Sequence, residues 1–187
     1  MKGQYDMLVI GGSAGSLEVI LHMLPRLKPD FNVPMIIVMH RNRTNETRLI
    51  NLLATRTKLR VKEAEEKETI VSGTIYIAPP DYHLLIEKNH SFSLDDSERI
   101  HHSRPSIDVT FESASLAYGT AVVCILLSGA NADGAESLRL IKQRGGLTVA
   151  QNPQSAEQGY MPQQAINLFP VDLILDKEDI ADILNEL

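Results

Sequence analysis

The chain has one cysteine, no basic excess and no apolar run long enough to cross a membrane. Cys124 stands alone among 187 residues, which excludes an intrachain disulfide and a thiolate metal cluster. Inside Ala121-Val122-Val123-Cys124-Ile125-Leu126-Leu127 it reads as a core residue. With 18 Lys and Arg against 24 Asp and Glu, the net charge is −6. Such a chain has no positive surplus to neutralise phosphates, so no nucleic-acid partner is expected. The run over residues 121–127 is far below the ~20 residues of a membrane helix, so no membrane insertion is expected. No apolar signal core follows Met1-Lys2-Gly3-Gln4-Tyr5-Asp6, and a cytoplasmic location is expected. There is no repeat, low-complexity tract or linker. The length suits one domain, residues 1–187, able to bury a full core.

What the chain does have is an alternation of buried strands and helix-period segments. Residues 7–10 read as the first strand, and Leu17, Ile20, Leu21 and Leu24 mark one face of the following helix. Pro25, Pro29 and Pro34 end that helix and shape the connection. Residues 35–39 read as a second buried strand. Asn45 is the expected cap of a helix burying Leu49, Ile50, Leu52 and Leu53. Residues 69–71, 74–78 and 84–86 read as hairpin-connected strands on the sheet edge, and residues 63–68 as a solvated acidic turn. Residues 95–105 read as a polar loop. A helix over 108–118 closes at Gly119. The strand at 121–127 leads through residues 128–134 into a helix over 135–144, then a strand over 147–150. A strand over 171–175 and a helix from Asp179, capped by Asp176, complete the chain. The fold class expected is α/β: a doubly wound, mostly parallel sheet with helices on both faces and an added antiparallel hairpin region.

In such sheets the ligand crevice lies at the carboxyl ends of the strands. Ser13, His40 and Asp133 all fall at that edge. A serine hydroxyl needs a base to take its proton, and the base needs a carboxylate to fix its tautomer. Gly11-Gly12-Ser13-Ala14-Gly15 also fits the G-x-S-x-G pattern literally, although the order serine, histidine, acid is not that of the α/β-hydrolases. Each residue has a plainer use: Ser13 or Asp133 as a helix cap, His40 as a hydrogen-bonded strand end. A glycine turn at a helix start also suits a phosphate. However, G-x-G-x-x-G is not met at position 13, and His40 stands where a ribose-binding acid is expected.

Six motifs, in order, resemble the CheB-type protein-glutamate methylesterases of bacterial chemotaxis. They are Val9-Ile10-Gly11-Gly12-Ser13-Ala14-Gly15, Val38-Met39-His40, Tyr76-Ile77-Ala78-Pro79-Pro80, Arg104-Pro105-Ser106-Ile107-Asp108, Leu127-Ser128-Gly129-Ala130-Asn131-Ala132-Asp133-Gly134-Ala135 and Gly159-Tyr160-Met161-Pro162. The resemblance implies a doubly wound catalytic domain with Ser13 as nucleophile, His40 as base and then acid, and Asp133 as the orienting carboxylate. It implies backbone oxyanion donors at Ala14 and Ala130, and a substrate cleft lined by Arg104, Asp108 and Met161. For Asp108 helix capping is the alternative, and for Met161 core packing. The implied substrate is a glutamate γ-methyl ester on the cytoplasmic helical region of methyl-accepting chemoreceptors. Many family members also deamidate receptor glutamines. No cofactor and no metal are implied.

Four positions depart from the resemblance. Ala14 stands where threonine is usual, Met39 where glutamine is, Ala130 where methionine is common, and Ser16 where glycine is. The family commonly carries a receiver domain ahead of the catalytic one, whereas this chain starts almost at its first strand. The expectation is a stand-alone esterase domain or a trimmed longer chain, with a separate regulatory domain acting in trans. An interaction domain that has lost turnover is the alternative reading of the departures. His22 reads as a flank residue; His83, after the Pro79-Pro80 turn, reads as hydrogen-bonded to the turn, with an approach to the site as the alternative. His90 reads as exposed, and His101 and His102 as loop residues.

Overall fold

Met7–Gly12 forms strand β1 with every residue buried, as expected for a strand covered on both faces. A computed structural model describes residues 5–40 and 46–187. In chain order β1 is followed by α1 (Ser16–Met23), β2 (Met35–Met39), α2 (Glu46–Ala54), β3 (Arg60–Glu63) and β4 (Thr74–Ile77). Next come β5 (His83–Ile86), β6 (Phe92–Asp95), α3 (Ile107–Tyr118), β7 (Val122–Leu126) and α4 (Ala135–Gln143). The chain ends with β8 (Leu147–Gln151), α5 (Tyr160–Leu168), β9 (Leu173–Leu175) and α6 (Lys177–Leu184). Asn45, the expected cap of α2, lies outside the described residues.

Seven parallel strands form one sheet in the order β3-β4-β2-β1-β7-β8-β9. Alternate residues of the central strands β1, β2, β4 and β7 feed two separate cores. Leu8, Ile10, Ile37, Ile75 and Ile125 pack with α1, α2 and α6. Val9, Val38, Tyr76, Cys124 and Leu126 pack with α3, α4, α5 and the β5–β6 hairpin. β1 lies between β2 and β7, and the connection after β1 enters a helix on one face while that after β7 enters a helix on the other. This divergence opens a crevice at their carboxyl ends.

The doubly wound fold agrees with the reading from sequence, and five local expectations change. β4 is an interior parallel strand between β3 and β2, not part of an edge hairpin. The reason is burial on both faces: Ile75 and Ile77 enter one core, Tyr76 and Ala78 the other. The antiparallel pair is β5 with β6, and residues 69–71 contribute only an isolated bridge from Thr69 to Ser91. Helix α5 has no counterpart in the sequence reading, and it accommodates Pro162. In the first turn its missing N–H is one that no helix satisfies anyway. The buried stripe of α1 is Val19, Ile20, Met23 and Leu24, with Leu17 and Leu21 half-buried beside it; α6 packs on the flank and widens the covered face. Asp176 does sit at the start of α6, but its carboxylate accepts from Asn152 Nδ2 (3.0 Å) and Ser155 Oγ (2.6 Å) instead of capping the helix.

Candidate active site

β1 and β2 run in register with Gly12 opposite Met39, so the next residues, Ser13 and His40, leave neighbouring strand ends together. The His40 N–H donates to Gly12 O at 3.4 Å. Ser13 is fastened through its backbone: its N–H donates to Ser128 O (2.8 Å), and its carbonyl accepts from Ser16 N–H (3.1 Å) and Ser16 Oγ (2.6 Å). Its hydroxyl caps nothing, because Gly15 at φ 83° is the α1 cap. A Cβ at Gly15 would stand 2.6 Å from Glu157 Cβ and 2.7 Å from Ser128 Oγ, so both the backbone and the space require glycine there. Ser13 itself has no positive φ, so the strained elbow that G-x-S-x-G describes in α/β-hydrolases is absent from this turn.

His40 Nε2 lies 2.7 Å from Asp133 Oδ2, and the carboxylate is fully buried. The same Oδ2 accepts from Ile107 N–H at 2.7 Å. Oδ1 accepts from Ser106 Oγ at 2.8 Å and from Asp108 N–H at 3.0 Å. Burial alone would raise the Asp133 pKa; the His40 bond, the two backbone N–H groups and the Ser106 hydroxyl outweigh it and hold the acid below its usual range. An ionised carboxylate only accepts, so Nε2 carries a proton, and in the neutral ring the lone pair then lies on Nδ1.

Asp133 therefore does not cap its own helix α4, whose cap is Gly134 at φ 91°. It caps α3. Asp108 does not cap its own helix either, since its Oδ1 accepts from Ser137 N–H, in α4, at 2.9 Å. Burial, followed by the nearby Asp133 charge, raises the Asp108 pKa against those backbone bonds.

The model of the CheB methylesterase family matches residues 8–184. The chain belongs to the CheB methylesterase family. A candidate protein-glutamate methylesterase/protein-glutamine glutaminase of Leptospira interrogans is 45% identical over 98% of this chain and 95% of its own length. The corresponding protein of Carboxydothermus hydrogenoformans is 34% identical over 97% of this chain, which spans 55% of that relative. The crystal structure of the Thermotoga maritima CheB methylesterase catalytic domain superposes with a TM-score of 0.92 at 30% identity, covering 97% of this chain and 98% of that one. Among the described residues no helix is long and apolar enough to cross a membrane.

In this CheB-family chain both Ala14 and Ala130 are exposed at the crevice edge, and neither N–H has a protein acceptor among the described residues. Ser128 holds the turn between them. Its Oγ donates to Ala14 O (2.7 Å) and accepts from Gln158 N–H (2.8 Å), while its own N–H donates to the buried Gln151 Oε1 (2.9 Å). Met161 is not a cleft residue: it is fully buried against Gly129, where an added Cβ would lie 2.4 Å from its Cε, so its part is to support the loop. Arg104 donates to the carbonyls of Asp96 and Ser97 and braces the polar loop, with its Nε buried and unpartnered. Asp108 stays at the edge of the site, 15% exposed, with His101 Nε2 at 3.4 Å from its Oδ2.

His101, Asp108 and Asp133 bring one ligand-capable atom each within 4.8 Å of one another, but Asp133 is already engaged by four donors. His90 is exposed and stacks on Tyr118 at 4.3 Å. His22 lies 3.3 Å from Arg26 on the α1 flank. The sequence reading gave Ser106, Ser128 and Gln151 no role. Ser106 alone had a local signal, a serine directly ahead of a helical segment.

Proposed function

We propose that the chain is a serine hydrolase that demethylates glutamate γ-methyl esters on the cytoplasmic helical region of chemoreceptors. What supports this is one observation above the others. An imidazole held through Nε2 by a buried carboxylate leaves the strand end next to the one that carries Ser13, whose hydroxyl caps no helix. Ser13 Oγ attacks the ester carbonyl carbon, and its proton passes to His40 Nδ1. The tetrahedral oxyanion is held by the N–H groups of Ala14 and Ala130. His40 returns the proton to the departing methanol, leaving an acyl-serine. Water then repeats the sequence in reverse, with His40 as base, and frees glutamate and Ser13. A receptor glutamine enters the same path with ammonia leaving. Residues 1–187 form a single catalytic domain, which acts in the cytoplasm, where its substrate lies.

The test is methanol release from a methylated receptor fragment by the full chain and by Ser13→Ala. The expected loss is on the order of 10⁴–10⁶ in kcat with an unchanged far-UV spectrum. Retained hydrolysis in Ser13→Ala rejects the assignment. Inactivity of the unaltered chain, together with tight receptor binding, identifies an interaction domain instead.

A further inference from the structure

His83 is the only histidine among the described residues that is fully buried, and it lies outside the constellation of Ser13, His40 and Asp133. Both ring nitrogens are committed. Nδ1 accepts from Ser106 N–H at 3.1 Å, and Nε2 donates to Glu98 O at 2.9 Å. The ring is therefore the neutral Nε2–H tautomer, the only form that accepts at Nδ1 while donating at Nε2.

Ser106 is the residue that joins this histidine to Asp133. It is the cap of α3, its backbone is extended at φ −100° and ψ 136°, and its hydroxyl donates to Asp133 Oδ1. The two residues after it supply the backbone N–H groups that hold the same carboxylate. The hairpin is fastened along α3 by a polar seam with helical spacing. Ser106 N–H meets His83, Thr110 Oγ1 donates to Leu84 O at 2.8 Å, and Ile86 N–H donates to Ser113 Oγ at 3.0 Å. One end of that seam is the cradle of Asp133.

We infer that His83 is a positioning residue for the proposed hydrolysis: it sets the Ser106 backbone, so that the α3 amino end grips Asp133, and Asp133 in turn holds His40. The hairpin thereby becomes part of the catalytic scaffold. Without an acceptor at Nδ1 the Ser106 N–H must turn to another partner, and the hydroxyl turns with it, away from Asp133. This inference rests on the functional reading above.

Two polar replacements separate positioning from packing. Asn places its carbonyl oxygen near the Nδ1 position, whereas Gln reaches the Nε2 position. In the full chain, His83→Gln is expected to lower kcat by roughly 10–100-fold with KM within about threefold, since small misplacements cost on that scale. His83→Asn is expected to recover kcat to within about threefold of the unaltered chain. The proton resonance of His40 Nε2–H, recorded without substrate, is expected to shift in the Gln variant and keep its position in the Asn variant. Ser106→Ala should reproduce the Gln variant and decides the matter if His83→Gln does not fold. Ser113→Ala, at the far end of the seam, should lower Tm and leave kcat alone. Equal losses of Tm in both His83 variants with normal kcat and an unmoved resonance would overturn the inference. Hydrolysis surviving in Ser13→Ala defeats the functional reading alone, because the resonance still judges His83.

Discussion

Asp133, in the loop before α4, caps α3, while Asp108, in the first turn of α3, caps α4. The exchange crosses two helices whose amino ends both point at the crevice. It places a low-pKa acid and a raised-pKa acid side by side, and only the first touches His40. Helix amino ends favour negative charge, so each carboxylate is stabilised by the helix it caps. Asp108 gains less because burial, and after it the field of Asp133, works against its charge.

Asp133→Asn is expected to lower kcat by roughly 10⁴, because an amide does not select the Nε2–H tautomer of His40. It also turns an NH₂ group toward a site where four donors converge, so stability should fall by about 1–3 kcal/mol. Steady-state kinetics and urea unfolding measure the two losses separately. A variant that loses stability but keeps its turnover would remove Asp133 from the mechanism.

The two acids predict opposite pH dependences. The folded-state pKa of Asp133 is depressed, so its contribution to stability is complete above the ordinary carboxylate value near ~4 and disappears as pH falls through the depressed value. The folded-state pKa of Asp108 is raised. Its contribution is therefore complete below the ordinary value and disappears as pH rises through the raised one. Urea midpoints across roughly pH 2–7 should fall less steeply toward acid in Asp133→Asn than in the unaltered chain. In Asp108→Asn they should lose the decline on the neutral side. Three parallel curves would contradict both assignments.

Gly15→Ala is expected to destabilise the fold by about 1–2 kcal/mol from the left-handed backbone alone. The contacts at 2.6 Å with Glu157 and 2.7 Å with Ser128 Oγ add to that. Ser128 holds the Ala14 carbonyl, so kcat should drop as well, with the loss read from initial rates at saturating substrate.

Ala14→Thr and Ala130→Met restore the residues usual in the family. Both side chains are exposed, and the proposed oxyanion donors are backbone N–H groups. Each change is expected to move kcat by less than about tenfold, whereas losing an oxyanion donor costs ~10²–10³. A hundredfold effect from either would show that these side chains, and not only the backbone, shape the site.

The apolar runs at Met7, Met35 and Val122 made the central strands legible, because burial on both faces leaves no room for polar alternation. The same rule betrayed β4: its neighbouring turn residues suggested hairpins, yet Ile75, Tyr76 and Ile77 are buried on both faces of the sheet. α5 went unassigned in the sequence, and Pro162 falls in its first turn, where a missing N–H forfeits no helical bond.

Ser13, His40 and Asp133 stand out as candidates from the chain alone, since each follows a strand at the edge where such sheets bind ligands, and the motifs around them resemble one family. Their order along the chain followed from local pattern. Which nitrogen of His40 meets Asp133, which helix each aspartate caps and that His83 steadies Ser106 did not. Those bonds join residues from 23 to 93 positions apart, and no local propensity encodes a hydrogen bond across such a separation. Only the packing of α3 against α4 and the hairpin brings the partners together, so tertiary structure alone decided them.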